Sequence, residues 1–421
     1  MTSLYRVNYQ LRAHKRDPFI EFIKSLLLTP FILHAGPEAP NPEAMNLEGY
    51  SDVLLKVEEM IEEHRSMSKD GQEGTSRLSR LVPSIGKFFT HLPLREAFLR
   101  GNKRHAIAAR RFVPPSFNDI RRFLNTAQCL AVAPTLQLVT FDGDMTLYAD
   151  GQDFTRDSVL VGLLISLLRH GLHIAIVTAA SYGSDPVGYE GRLSGLLEEF
   201  RAQSLTPEQL GRFFVLGGEC NYLFRTGPDA HLVYIPEVDY HPPEVLAWTD
   251  EQISSLLDAA TMNVERCVRE MRLPLRIIRK GRAVGLVPHK GAKVEREQLD
   301  ECVLSTQQCL ASLQQRNSQI DPSCVHIPFC AFNGGNDVWV DVGNKLIGVQ
   351  FLQRYLHCTP ATTLHIGDQF LSTGNDFATR SACCTMWIVS PQETADALIE
   401  LTELLKGEEE METTQDAGKA C

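Results

Sequence analysis

Two aspartates, Asp142 and Asp144, stand two residues apart directly after the run Leu138-Val139-Thr140-Phe141. Carboxylates that close repel each other unless a cation or a shared proton offsets the charge, so the pair asks for a hard divalent ion such as Mg²⁺. The competing reading is a surface turn with two solvated acids. Acids return late in the chain, at Asp368 in Gly367-Asp368-Gln369 and again at Asn375-Asp376. Between the two sets lies Lys345, just ahead of the amphipathic stretch Leu346–Leu356, where an ammonium would neutralise clustered negative charge. Lys290 and Lys293 compete for that role.

The acids need elements to hold them. Val139, Thr140 and Phe141 suit a buried parallel strand, and ligands of open α/β sheets collect where such strands end. Apolar residues recur at helical spacing from Val159 to Leu168, and Gly171 closes that helix. Leu172 to Val177 is a second strand, tipped by Thr178-Ala179-Ala180-Ser181, which completes a β-α-β unit. About 35 residues separate Asp142 from Thr178 and leave no room for an inserted domain, whereas the next gap does. There, over 212–332, strand-like pieces (Phe213–Leu216, His231–Ile235, Leu275–Ile278, Val325–Phe329) alternate with the helical stretches Asp250–Met271 and Val294–Gln315. The segment reads as an α+β lid. Thr362–Ile366 is a further short apolar strand and ends at Asp368, and Asp337 lies at a strand start, where it meets a substrate hydroxyl or serves structure.

Length and composition bound the rest. The chain of 421 residues with 43% hydrophobic content calls for two or three structural units. A net charge of 41 − 52 = −11 argues against nonspecific attraction to nucleic acid or anionic membranes. Eleven scattered cysteines without C-x-x-C pairs read as reduced thiols. Residues 1–15 are polar and basic, unlike a secretory leader, and Phe22–Leu33 is too short to cross a bilayer, so the expected location is cytoplasmic. One basic run, Arg100, Lys103, Arg104, His105, Arg110 and Arg111, precedes Ser116, which is positioned to cap the next helix with Asp119 three residues on. That run is a solvated face, a set of ion pairs within an oligomer, or a phosphate site.

A strand followed by D-x-D-x-T resembles the first motif of the haloacid dehalogenase (HAD) superfamily of phosphatases and phosphomutases. The resemblance implies that Asp142 is the nucleophile, forming an aspartyl-phosphate, and that Asp144 protonates the leaving alkoxide and later activates water. It gives Thr178, with Ser181 the weaker candidate, the hydroxyl that donates to a phosphoryl oxygen. Arg192, in Tyr189-Glu190-Gly191-Arg192-Leu193, would aim a guanidinium back at the phosphate, with a surface arginine the alternative. Lys345 matches the third motif, and Gly367-Asp368, six residues, Asn375-Asp376 matches the fourth, where the first Asp binds Mg²⁺ and the later pair braces it. The metal set implied is Asp142, the backbone carbonyl of Asp144, and Asp368. The fold implied is α/β, a HAD-like (Rossmannoid) parallel-sheet core with an α+β C2-type cap and a helical N-terminal region. The expected boundaries are 1–130 for the helical regulatory or oligomerisation region, 131–190 and 335–405 for the core, 191–334 for the cap, and 406–421 for a disordered acidic tail.

Three words narrow the likeness: Arg111-Phe112-Val113-Pro114-Pro115-Ser116-Phe117-Asn118-Asp119, Thr140 to Tyr148, and His365-Ile366-Gly367-Asp368-Gln369-Phe370. Together they resemble the fungal and protozoan IMP-specific 5′-nucleotidases over nearly the whole chain. That resemblance implies hydrolysis of inosine monophosphate (IMP), Mg²⁺ dependence, ATP as allosteric activator and a homotetramer. It makes Asp150 a candidate for substrate recognition, and Arg104 and Arg122 candidates for the effector. A phosphomannomutase-like sugar-phosphate mutase is the alternative, since such enzymes share the nucleophile, the general acid and the late cap.

Overall fold

A computed structural model describes residues 17–34, 41–321 and 324–419, with side chains up to 407. Residues 1–15, read as unlike a leader, lie outside the described residues. The chain divides into two compact units, Met1–Leu136 with Cys384–Trp387 and Ala395–Cys421, and Gln137–Cys383 with Ile388–Thr394.

The second unit contains two sheets, built from β1 (Leu138–Phe141), β2 (His173–Val177), β3 (Phe213–Gly217), β4 (Tyr222–Thr226), β5 (Leu232–Ile235), β6 (Leu275–Arg279), β7 (Ala283–Pro288), β8 (Phe329–Asn333), β9 (Val338–Val342) and β10 (Thr363–Gly367). Within this unit the strands of the core sheet follow the order β10-β1-β2-β3-β4-β5. β10, β1, β2 and β3 run parallel, and β4 and β5 return antiparallel. Every residue of β1, β3 and β10 is buried, which is what a strand covered on both faces requires of its sequence. The crossover helix Val159–Arg169 buries Leu160, Val161, Leu164, Ile165, Leu167 and Leu168, and Gly171 follows it in the left-handed region at φ 78°.

The second sheet has the order β6-β7-β9-β8 and is antiparallel throughout. The helices Asp250–Met271 and Arg296–Ile320 supply Leu257, Ala260, Val264, Leu299, Val303 and Leu310 to a core shared with Val338, Val340 and Val342 of β9. This is the α+β cap, with boundaries that differ from expectation. The cap was expected to span 191–334, yet β3, β4 and β5 complete the core sheet. Phe213–Gly217 is buried without interruption, the pattern of an internal strand, and extends β2 directly. Conversely Val338–Val342, expected in the core segment 335–405, pairs with β7 and β8 in the cap.

The first unit is helical: Pro18–His34, Pro42–Lys69, Leu94–His105 and Phe117–Val132 are its longer elements within 17–136. Ser116 and Asp119 form the expected capping box, and Arg110 pairs with Asp119 at 2.7 Å. The strand β11 (Cys384–Trp387) groups with this unit, as does the chain from Ala395. The physical reason lies in Asn125, whose amide donates to the Trp387 carbonyl at 2.7 Å while its oxygen accepts from the Trp387 N–H at 3.0 Å. The tail expected to be disordered over 406–421 instead continues the helix Pro391–Lys419, in keeping with the helix propensity of its Glu, Met and Lys residues. Residues 420–421 lie outside the described residues. No helix among the described residues is long and apolar enough to cross a membrane, and the cysteines among them are free thiols.

Candidate active site

Parallel pairing sets Phe141 beside Ile366, so β1 and β10 end level and release Asp142 and Asp368 at the same edge. Asp142, Asp368 and Asp376 each offer a carboxylate oxygen, all within 4.8 Å of one another. Gly143 holds the turn between Asp142 and Asp144, because a Cβ there would collide with the Tyr148 hydroxyl. The turn closes through Leu147 N–H donating to the Gly143 carbonyl at 2.9 Å, with Met145 left-handed at φ 59°. Gly367 is demanded in the same way, since a Cβ there would strike the Asp376 carboxyl.

Lys345 lies in the first turn of the helix Lys345–Leu356, whose start is fixed by Asn344 accepting from Ile347 N–H at 3.0 Å. Its ammonium is fully buried, 2.6 Å from Asp142 Oδ1 and 2.7 Å from Asp376 Oδ1. Lys290 and Lys293, the competing lysines, are exposed. Burial alone would lower the Lys345 pKa, but Asp142, Asp376 and Glu219 hold it well above the usual range, so it stays charged. Burial pushes Asp142 up to about 6, with Lys345 opposing and Asp376 adding to the rise. Asp368 is raised well above the carboxylate range by burial and by Asp142 and Asp376. Asp376 behaves differently: against its burial, Lys345 and His365 hold it well below that range.

Behind the acids runs a buried chain. The Thr140 hydroxyl meets His365 Nδ1 at 2.8 Å, and His365 Nε2 meets Asp376 Oδ1 at 3.0 Å. Burial lowers the His365 pKa, so the ring is neutral; Asp376 is an acceptor, which assigns the Nε2 proton to that bond and makes the threonine hydroxyl the donor to Nδ1. Asp376 Oδ2 accepts from Gln369 N–H at 2.9 Å. With both oxygens engaged, Asp376 is suited to bracing Lys345 and less to ligating a cation.

A fourth acid joins them. Glu219, fully buried after β3, has its backbone in the left-handed region at φ 66°. Its Oε1 accepts from Asn375 Nδ2 at 2.9 Å, while Oε2 has no hydrogen-bond partner. Burial raises it to about 7, with Lys345 opposing. Three buried acids and the half-buried Asp368 therefore gather about one buried ammonium, and hard oxygen donors with excess negative charge fit a divalent ion of the Mg²⁺ class. Asp142 and Asp368, with the adjacent Asp144 carbonyl, are the groups that would hold it.

The other expected residues fall around this centre. Thr178 is buried at the tip of β2 and its hydroxyl accepts from Ala180 N–H at 3.1 Å. Ser181 is half-buried and hydrogen-bonds the Tyr189 phenol. Arg192 is turned towards the catalytic loop, its guanidinium binding Asp144 Oδ1 at 2.6 Å, with Asp153 at 3.9 Å and the Tyr148 ring at 5.0 Å. Asp144 also accepts from Gly151 N–H at 3.1 Å. Asp150 is exposed, and Asp337 is half-buried with its Oδ2 accepting from Trp339 Nε1 at 3.0 Å. In the first unit Arg104 pairs with Glu400 at 3.2 Å, and Arg122 is exposed. Sequence reasoning missed Glu219, His365 and Thr140.

Residues 1–398 match the family model described as IMP-specific 5′-nucleotidase. The chain is 43% identical over 423 residues to the IMP-specific 5′-nucleotidase 1 of Yarrowia lipolytica, an alignment covering 97% of this chain and 99% of that protein. Among solved structures, an N-terminally truncated, IMP-bound IMP-nucleotidase of Plasmodium falciparum superposes with a TM-score of 0.82 at 36% identity, over 92% of this chain and 96% of that one. The ATP-bound structure of the Plasmodium falciparum IMP-nucleotidase gives 0.79 at 36% identity, over 95% and 87%. Likeness of this depth along nearly the whole length, over a HAD-like core with its acids gathered at one sheet edge, means that the chain belongs to the IMP-specific 5′-nucleotidase family of phosphoric monoester hydrolases.

Proposed function

We propose that this nucleotidase hydrolyses IMP to inosine and phosphate through a phosphorylated Asp142, with Mg²⁺ as the resident ion. The observation that carries the reading is the convergence of Asp142, Asp368 and Lys345, with the ammonium 2.6 Å from the attacking carboxylate. A bound divalent ion would screen the phosphate charge, letting a carboxylate approach an anion. An Asp142 oxygen attacks phosphorus, and the bond from phosphorus to O5′ breaks. Asp144 gives its proton to O5′, releasing inosine, and then takes a proton from the water that attacks the acyl phosphate. That second attack frees phosphate and restores the Asp142 carboxylate. Lys345 stays protonated throughout and offsets the negative charge gathering on the phosphoryl oxygens. Thr178 and Ser181 donate to those oxygens, and Arg192 fixes Asp144 by its ion pair at 2.6 Å. Asp150 and Asp337 serve the ribose hydroxyls.

Regulation belongs to the same proposal: ATP activates the enzyme, which works in the cytoplasm as a homotetramer. Support comes from the ATP-bound Plasmodium relative and from the basic residues of the first unit, where Arg104 in the basic run and Arg122 in the helix after it are the effector candidates. Phosphate release from IMP tests the chemistry. It is expected with Mg²⁺, and expected to vanish with a chelator or in Asp142→Asn; turnover that survives both would overturn the mechanism. Stimulation by ATP that disappears in Arg104→Ala or Arg122→Ala, and light scattering at the mass of four chains, test the rest.

A further inference from the structure

The cap sheet has two faces. Val338, Val340 and Val342 of β9, Val284 and Leu286 of β7 and Ala331 of β8 enter the apolar core beneath the two long helices. Alternation along the strands therefore turns Trp339, Asp341, Gly285 and Phe332 the other way. Charge interactions show what that second face looks at. Asp337 feels Asp150 and Asp144, Asp341 feels Glu219, and Cys330, opposite Asp341 in register, feels Glu219 and Lys345.

On this face the Trp339 indole is held from two sides. Nε1 donates to Asp337 Oδ2 at 3.0 Å, and the Lys280 ammonium stands 4.7 Å from the ring centroid. Gly285, the register partner of Trp339, makes room for the ring, since a Cβ there would sit 2.6 Å from it. Asp341 is 4% exposed, and its Oδ2 has no hydrogen-bond partner. A buried acceptor left unmatched is costly and points to a donor brought by a ligand.

We propose that Trp339, Lys280 and Asp341 form the subsite that selects the purine base, the indole packing on the ring system while Lys280 donates to the 6-oxo oxygen and Asp341 accepts from N1–H. This rests on the reading of IMP as substrate. The donor and acceptor order is the basis of selection. Hypoxanthine presents an acceptor at position 6 and a donor at N1. Adenine presents the reverse, so AMP would set an amino group against an ammonium and an unprotonated N1 against a carboxyl oxygen. A carboxyl oxygen accepts from N1–H in either protonation state, but only the ionised form refuses N1 of adenine; burial opposes that form and the Lys280 ammonium favours it.

The test compares kcat/KM for IMP and for AMP in the wild type, in Lys280→Met and in Asp341→Asn. Lys280 is exposed, so its replacement leaves the fold intact. Loss of one charge-assisted hydrogen bond is expected to cut kcat/KM for IMP by about ten- to a hundredfold. AMP is expected to lose nothing, so the IMP-to-AMP preference falls by the same factor. Asp341→Asn, nearly isosteric and able to donate to N1 of adenine, is expected to relax the preference from the AMP side. Undiminished preference in both variants, with IMP still hydrolysed, would overturn the subsite alone. A wild type that releases no phosphate from IMP would overturn the nucleotidase reading and the subsite with it.

Discussion

Replacing Lys345 by methionine removes the one buried cation that Asp142 and Asp376 share, at 2.6 and 2.7 Å, while keeping most of the side-chain volume. Because a cavity is largely avoided, the cost is electrostatic. Two charge-assisted hydrogen bonds are worth about 1.5–3 kcal/mol each, and stranding a buried partner costs about 3–5 kcal/mol. The expected loss of stability at neutral pH is therefore about 4 kcal/mol. Its pH dependence has a definite sign. Lys345 and His365 hold the folded Asp376 well below its unfolded value of about 4, so this acid contributes stability above pH 4 that is lost as pH falls through its folded value. The variant lacks most of that contribution, so the gap to the wild type is widest near neutrality and narrows below about pH 4. Urea unfolding followed by near-ultraviolet circular dichroism, at pH 7 and at pH 3.5, reads both. Activity is expected to fall by about a hundred- to a thousandfold, the effect of deleting one preorganised charge. A variant within about 1 kcal/mol of the wild type at pH 7 would refute the reasoning, since the ammonium would then not be what holds the acids together.

Other perturbations probe the same centre. Gly143→Ala drives a methyl group into the Tyr148 hydroxyl, and the resulting shift of both aspartates is expected to lower kcat about a hundredfold; adding Tyr148→Phe removes the colliding oxygen and is expected to restore part of it. Glu219→Gln keeps an acceptor for Asn375 but deletes a buried acid raised to about 7. A carboxyl whose folded pKa is raised destabilises the fold as pH climbs from its unfolded value to its folded one, so the metal-free variant is expected to gain about 3 kcal/mol at pH 8 and nothing at pH 4, as chemical unfolding would report. Without metal, Asp142 keeps its proton up to about pH 6, so Mg²⁺ has to displace it. Asp368, raised still further, gives up a proton as well, so apparent Mg²⁺ affinity, read by calorimetry, is expected to rise at least tenfold per pH unit below 6; a flat profile would contradict Asp142 as a ligand.

The parts of the site visible in the sequence share one cause. Asp142 and Asp368 each follow a short, largely apolar run that is buried throughout, and a strand buried on both faces must deliver what comes after it to the carboxyl end of the sheet. Glu219 carried the same signal, an acid two residues past Phe213–Gly217, and was overlooked because that strand was assigned to the cap. A buried run of five fits either sheet, and only pairing with β2 decides. His365 and Thr140 were invisible for another reason. They are register partners across β1 and β10, a relation that no spacing along the chain encodes. Arg192 illustrates a third limit: the sequence placed it near the acids, while its choice of Asp144 is set by side-chain geometry alone. The tail was misjudged because composition that forbids a buried core does not forbid a helix.

Transient phosphorylation of Asp142 is the claim on which the mechanism stands. Enzyme mixed with Mg²⁺ and IMP, quenched in acid during turnover and digested for peptide mass mapping, tests it directly. The account predicts a hydroxylamine-labile phosphate on the peptide carrying Asp142, absent from Asp142→Asn. Steady release of inosine with that peptide never phosphorylated would contradict it.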